Sequence, residues 1–236
     1  ENEKPAVATK QPWGALAALF VGFGAYIVSQ IGLGLLLLLF MTDANEADFQ
    51  QPWASLVITA ASSALMLGVV WLYIRSKKFK IRDFGFARPT LKQVGIAAAA
   101  YAAYFVLFII AVTVIAAIVP SFNAEEAQDV GFVGAQGWQL ILAFLGLVVI
   151  APIAEEVFFR GFLYRGLRRS WPMWLAAIIT SALFALAHGQ WNVGLDTFVL
   201  SLFLIYVYQK TGNLWLSIGM HATKNLIAFL FLFVFI

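Results

Sequence analysis

Apolar residues run through this chain in long blocks broken by short polar turns, without the period-two alternation of a half-buried strand. The blocks over 12–40, 52–74 and 91–119 are each long enough to cross a bilayer, which takes about 20 apolar residues in a helix. A fourth block opens near Trp138 and continues, through a polar patch, as one helix to Arg168 and Arg169. Three further blocks follow over 172–188, 195–209 and 214–236, the first two shorter, separated by polar turns at 189–194 and 210–213. In lipid every backbone polar group needs an internal partner, so apolar blocks of this kind are helices. The pattern predicts an all-α polytopic membrane protein, a bundle of about seven transmembrane helices. It is expected to form a single multispan domain over 12–236 after a polar tail at 1–11, which carries no signal-peptide pattern. The core that bears the motifs lies at about 138–236.

Some local features sharpen this outline. Gly14, Gly22, Gly24, Gly32 and Gly34 in the first block permit close helix packing in lipid. Pro152 is expected to kink the fourth helix and free backbone groups beside the polar patch. The block at 195–209 is short, which predicts that the 210–213 turn sits deeper than an ordinary loop.

Composition confirms the class. The chain is 62% hydrophobic and only 11% charged, against roughly 25% charged in soluble domains. It has no cysteine, which excludes a disulfide framework, a thiol nucleophile and a Cys-ligated metal. The net charge of +3 is unevenly spread: 13 of the 15 lysines and arginines fall in the tail, at 75–92, at 165–169 or at Lys210. The intervening loops carry Asp43, Glu46 and Asp48, then Glu125, Glu126 and Asp129, and no base. The positive-inside rule therefore puts the N-terminus and the basic loops in the cytoplasm and the C-terminus outside the cell membrane. The basic run reads as an orientation signal in contact with lipid headgroups, not as a nucleic-acid patch.

The two remaining bases, Arg160 and Lys224, lie inside apolar blocks with Glu155, Glu156, His188 and His221. Ionisable groups at bilayer depth are costly, so they are expected to be paired and functional. Glu156 and Arg160 are four residues apart and can form an ion pair on a helix, while Glu155 points about 100° away. This reading makes Glu156–Arg160 scaffold and Glu155 chemistry. Phe184 and His188 share a helix face, as do His221 and Asn225. At about 1.5 Å per residue, Glu155 lies roughly 20 Å from its helix's cytoplasmic end and His188 roughly 24 Å, whereas His221 lies only about 12 Å in. Lys224 points away from Asn225; it is expected to pair with Glu156 or to snorkel towards an interface, and is given no catalytic role.

Glu155-Glu156-x-x-x-Arg160, Phe184-x-x-x-His188 and His221-x-x-x-Asn225, in that order within about 70 residues, resemble the CPBP intramembrane proteases. That family holds the type II CAAX prenyl endopeptidases and bacteriocin-processing or immunity membrane proteins. The resemblance implies an intramembrane endopeptidase acting on a peptide or membrane-protein substrate. Glu155 would be the general base that activates water and His188 would orient that water or move its proton. His221 and Asn225 would polarise the scissile carbonyl and stabilise the oxyanion. Glu156 and Arg160 would hold the helix and tune the field, with Phe184 shaping the pocket.

The family is often classed with metalloproteases, and Glu155, His188 and His221 are a conceivable zinc set. The chain has no His-Glu-x-x-His, however, and a glutamate–water mechanism needs no metal, so no cofactor is expected. Two other functions fit the same buried charges: a proton-coupled transporter using Glu155 and His188 as a relay, and a non-catalytic immunity or scaffold protein. Neither inverted repeats nor the loss of a motif residue favours them.

Overall fold

The computed structural model describes residues 13–40, 51–124, 126, 131–132 and 134–235. The expected tail at 1–11 and the loop acids Asp43, Glu46, Asp48, Glu125 and Asp129 lie outside the described residues. The protein is an all-α polytopic membrane protein. Among the described residues six helices are long and apolar enough to span: α1 (Ala15–Phe40), α2 (Pro52–Ser76), α3 (Leu91–Ile118), α4 (Gln139–Ser170), α6 (Trp191–Thr211) and α7 (Leu214–Phe233). The seventh, α5 (Met173–Leu186), has 14 residues, about 21 Å, short of a hydrocarbon core about 30 Å thick.

Helix α4 is the axis of the bundle. Every residue from Glu156 to Leu167 is buried, and α4 packs against α1, α2, α5, α6 and α7. At its far end the Trp13 ring stacks on Phe162, centroids 5.1 Å apart. The Trp13 indole N–H also donates to the Phe162 carbonyl at 3.2 Å, and Ser170 Oγ accepts from the first amide of α1, that of Ala15. By contrast α3 shows most of its apolar surface to the outside, as a lipid-facing span does.

The segment between α2 and α3 folds over this same end. A short 3-10 turn, Ile81–Phe84, inserts Phe84 beside α4, where it is fully buried. The Arg165 guanidinium lies over the Phe79 and Phe84 rings, 5.1 and 5.7 Å from their centroids, and donates to the Asp83 carbonyl at 2.6 Å. Gly85 adopts φ +96°, and a side chain there would strike the Gly212 carbonyl. Its own carbonyl accepts from Leu214 N–H at 2.9 Å, and Asn213 reaches the Ala87 carbonyl at 2.9 Å.

Three sequence expectations change. Within the 210–213 turn Thr211 and Asn213 are buried, at 6% and 2% exposure, while Lys210 stays exposed, yet α6 is not short: it runs 21 residues. The 79–87 segment covers the turn instead. Helix α5 stops at Leu186, so His188 belongs to the following turn rather than to the helix. Gly189, at φ +67°, lets the chain leave the helix there. Helix α4 does run unbroken through the polar patch, but with π-helical stretches at Leu145–Ile150 and Val157–Tyr164.

The close approach of Phe84 to α4 depends on Gly161: a Cβ there would stand 2.6 Å from Phe84 Cδ2. Overpacking of this kind costs about 1–3 kcal/mol. Gly161→Ala is expected to lower the detergent melting temperature measurably, and an unchanged melt would show that Phe84 can withdraw at no cost.

Candidate functional site

The centre of the site is the Glu156 carboxylate, fully buried at the middle of α4. Its Oε1 accepts from Arg160 Nη1 at 2.8 Å, one turn on, and from His221 Nδ1–H of α7 at 2.9 Å. Arg160 is also fully buried, and among the described residues its Nε and Nη2 find no hydrogen-bond acceptor. The Phe184 ring meets them instead, its centroid 4.6 Å from the guanidinium carbon, in a cation–π contact. The ion pair expected from the Glu156–Arg160 spacing is formed, and His221 extends it to a second helix.

Glu155, one residue earlier, is turned out of this cluster. Its side chain keeps 28% exposure where Glu156 has none, and its Oε2 lies 3.8 Å from His221 Nε2. One imidazole thus stands between two adjacent carboxylates of different character. Because a carboxylate only accepts, the Glu156 contact assigns the proton to Nδ1 and leaves Nε2 facing Glu155. The depth mismatch expected for His221 is absent from the structure.

His188 is held in the same sense. Its Nδ1–H donates to the Phe184 carbonyl at 2.8 Å, again leaving Nε2 as the open nitrogen. Its ring packs edge-on against Phe184 at 4.9 Å, and Phe184 packs in turn against His221 at 5.7 Å. Phe184 therefore joins the motif residues of α4, α5 and α7, touching Arg160, His188 and His221 together. No ion-pair contact joins His188 to Glu155 among the described residues.

Asn225 is placed by a consequence of Pro152. In the π register of this stretch, Ala151 N–H bonds the Gly146 carbonyl, five residues back. The next amide in that register is that of Pro152, which has no N–H to give to Leu147. The Leu147 carbonyl accepts from Asn225 Nδ2 instead, at 2.9 Å. The backbone group freed by the proline is thus the anchor for α7.

Lys224 does neither of the things expected of it. Its Nζ lies 2.8 Å from Asp196 Oδ2 of α6, and Asp196 also accepts from the Tyr104 hydroxyl of α3. Glu156 is already taken by Arg160 and His221, and the direction of Lys224 on α7 carries it to the other neighbour. Sequence reasoning overlooked Asp196. The signal that could have found it is an acid inside the sixth apolar block with an unassigned lysine in the seventh.

A metal centre on Glu155, His188 and His221 is not assembled. Among the described residues no three His, Asp or Glu side chains come close enough to hold an ion. The Phe184 ring lies against both imidazoles.

Removing one partner of a buried ion pair strands the other charge, at a cost of about 3–5 kcal/mol. Arg160→Ala is expected to cut the folded yield in detergent severely. An unaltered yield and melting curve would remove its scaffold role.

Residues 137–227 match the family described as type II CAAX prenyl endopeptidase Rce1-like, a family of proteases. An uncharacterized 24.3 kDa protein of Escherichia coli is 34% identical over 97 residues, covering 39% of this chain and 45% of that protein. Uncharacterized protein YyaK of Bacillus subtilis (strain 168) is 26% identical over 250 aligned residues, covering 97% of this chain and 81% of its own length. No solved structure matches. The matched segment contains all seven motif residues, Glu155 to Asn225, and over residues 137–227 the chain is similar to the Rce1-like proteases.

Proposed function

We propose that this multi-pass membrane protein is an intramembrane endopeptidase that cleaves a peptide or membrane-associated protein with a glutamate-activated water. One observation carries this reading: two neighbouring carboxylates share one histidine, the inner one buried and held through Oε1 by Arg160 and His221, the outer one, Glu155, open and 3.8 Å from the remaining imidazole nitrogen.

The chemistry follows from which atoms remain uncommitted. Glu155 takes a proton from water as the water oxygen bonds to the scissile carbonyl carbon. His188 Nε2, left as an acceptor by the Phe184 contact, accepts a hydrogen bond from the other O–H of the water, which stays on the oxygen, and so aims the lone pair. The oxyanion is met by the second N–H of Asn225, whose first is spent on Leu147, and by the Nε2–H of a His221 that enters the reaction doubly protonated and keeps that proton throughout. Collapse breaks the C–N bond, and Glu155 returns its proton to the leaving amine. No step needs a metal. Arg160 and Glu156 keep His221 in its orientation, and Phe184 sets the distance between the two histidines. The proposed orientation places the 75–92 segment and Lys210 in the cytoplasm.

The test is cleavage of a reporter-peptide library by purified wild type beside Glu155→Gln and His188→Ala. Glu155→Gln keeps shape and removes the base, so cleavage is expected to fall by at least the roughly 10²–10⁴-fold typical of general-base loss, with melting intact. Equal cleavage by all three proteins would overturn the assignment. Independently, elemental analysis of active protein is expected to find metal well below one equivalent, with chelators leaving the rate unchanged. Stoichiometric zinc would overturn the metal-free mechanism.

A further inference from the structure

Away from the site, α3 and α6 enclose an apolar groove of about 580 Å³, within the range of roughly 300–1,000 Å³ seen for ligand sites. Ile96, Ala99, Ala103 and Leu107 of α3 face Phe203 and Tyr206 of α6 across it. The alanines are what make it hollow: bulkier residues on that stripe would fill it. From Ile96 to Leu107 the stripe rises about 17 Å, close to one leaflet's share of a hydrocarbon core about 30 Å thick.

One end of the groove is charged. Lys92 is four residues before Ile96 on the α3 stripe, and Lys210 is four after Tyr206 on the α6 stripe, so both bases extend the lining by one turn. Both are exposed, and Lys210 Nζ lies over the Tyr206 ring, 6.0 Å from its centroid. The two helix ends are tied there, Gln93 Nε2 donating to the Thr211 carbonyl at 3.1 Å, which brings the lysines to the same mouth. The α3 stripe carries no acid at this end.

We propose that this groove is a binding site for an anionic phospholipid, one acyl chain lying along the alanine stripe and the headgroup phosphate held between Lys92 and Lys210. Length, polarity and charge agree on this occupant. The groove is apolar over one leaflet and basic only at its mouth, which matches a lipid standing in the membrane and not a soluble anion. The inference is independent of the proteolytic reading.

Native mass spectrometry of the full chain can test it, comparing palmitoyl-oleoyl phosphatidylglycerol with phosphatidylcholine of the same chains. Wild type is expected to retain phosphatidylglycerol on the order of tenfold better, since each nearby lysine contributes appreciably to binding an anionic lipid. The Lys92→Ala/Lys210→Ala variant is expected to lose that preference, while Lys77→Ala/Lys78→Ala keeps it. Ala103→Leu, which fills the groove, is expected to reduce both lipids alike. Equal retention of the two lipids by wild type, or a preference that survives loss of Lys92 and Lys210, would overturn the proposal. So would a dimer that Ala103→Leu dissolves, since the groove would then belong to a second copy. The lysine variants lie on the exposed surface and keep the test decisive should Ala103→Leu fail to fold.

Discussion

A carboxylate buried in the centre of a membrane bundle is unfavourable unless something fixes it in place, and Glu156 is fixed from two helices at once. Arg160 supplies the charge from one turn along α4, and His221 supplies a directed N–H from α7. The Arg160 guanidinium in turn rests on Phe184 of α5. Removing any of these leaves an unpaired polar group in a region with little water to replace it. The cluster therefore holds three helices in register, and it also sets the orientation of the imidazole that looks towards Glu155. Stability and site geometry share the same hydrogen bonds.

The π-helical stretches of α4 belong to the same arrangement. A π turn widens the helix and displaces its backbone hydrogen bonds by one residue, and such turns concentrate at functional sites. Here the displaced pattern meets Pro152, so the Leu147 carbonyl is released toward α7 and captured by Asn225. Asn225 is consequently held at a point fixed by α4's own irregularity. A regular α-helix through this stretch would direct its unpaired carbonyl to a different residue, and α7 would dock with a different rotation.

Much of this was legible because polar residues are so rare in the chain. Where only a few ionisable groups interrupt long apolar blocks, spacing identifies Glu156–Arg160 as a pair, while Glu155, His188, His221 and Asn225 are gathered as candidates by the resemblance of their motifs to a protease family. What escaped the reading has specific physical causes. Pro152 marks where a backbone acceptor is freed, but only the three-dimensional register shows that it is Leu147 and that Asn225 takes it. The depth of His221 depended on Gly85 and Ala87 covering the 210–213 turn, a contact between segments more than 120 residues apart. Asp196 follows Trp191 and Asn192 near the start of its block and so blends into the preceding polar turn, which hid the partner of Lys224.

The adjacency of Glu155 and Glu156 has a further consequence for how this site can vary. Consecutive helix residues diverge by about 100°, so one carboxylate enters the buried cluster while the other stays at its edge, and His221 touches both. His221 is therefore structural through Nδ1 and, in the proposed mechanism, chemical through Nε2, so a change there alters the two together. His188 differs: its Nδ1 contact is to the carbonyl of Phe184, within its own turn, and no second helix depends on it. Loss of the His188 ring removes an open nitrogen and an edge contact with Phe184 but leaves the Glu156 cluster whole. Of the two histidines, His188 is thus the one whose substitution separates the proposed chemistry from folding, and the one at which the bundle tolerates change with least rearrangement.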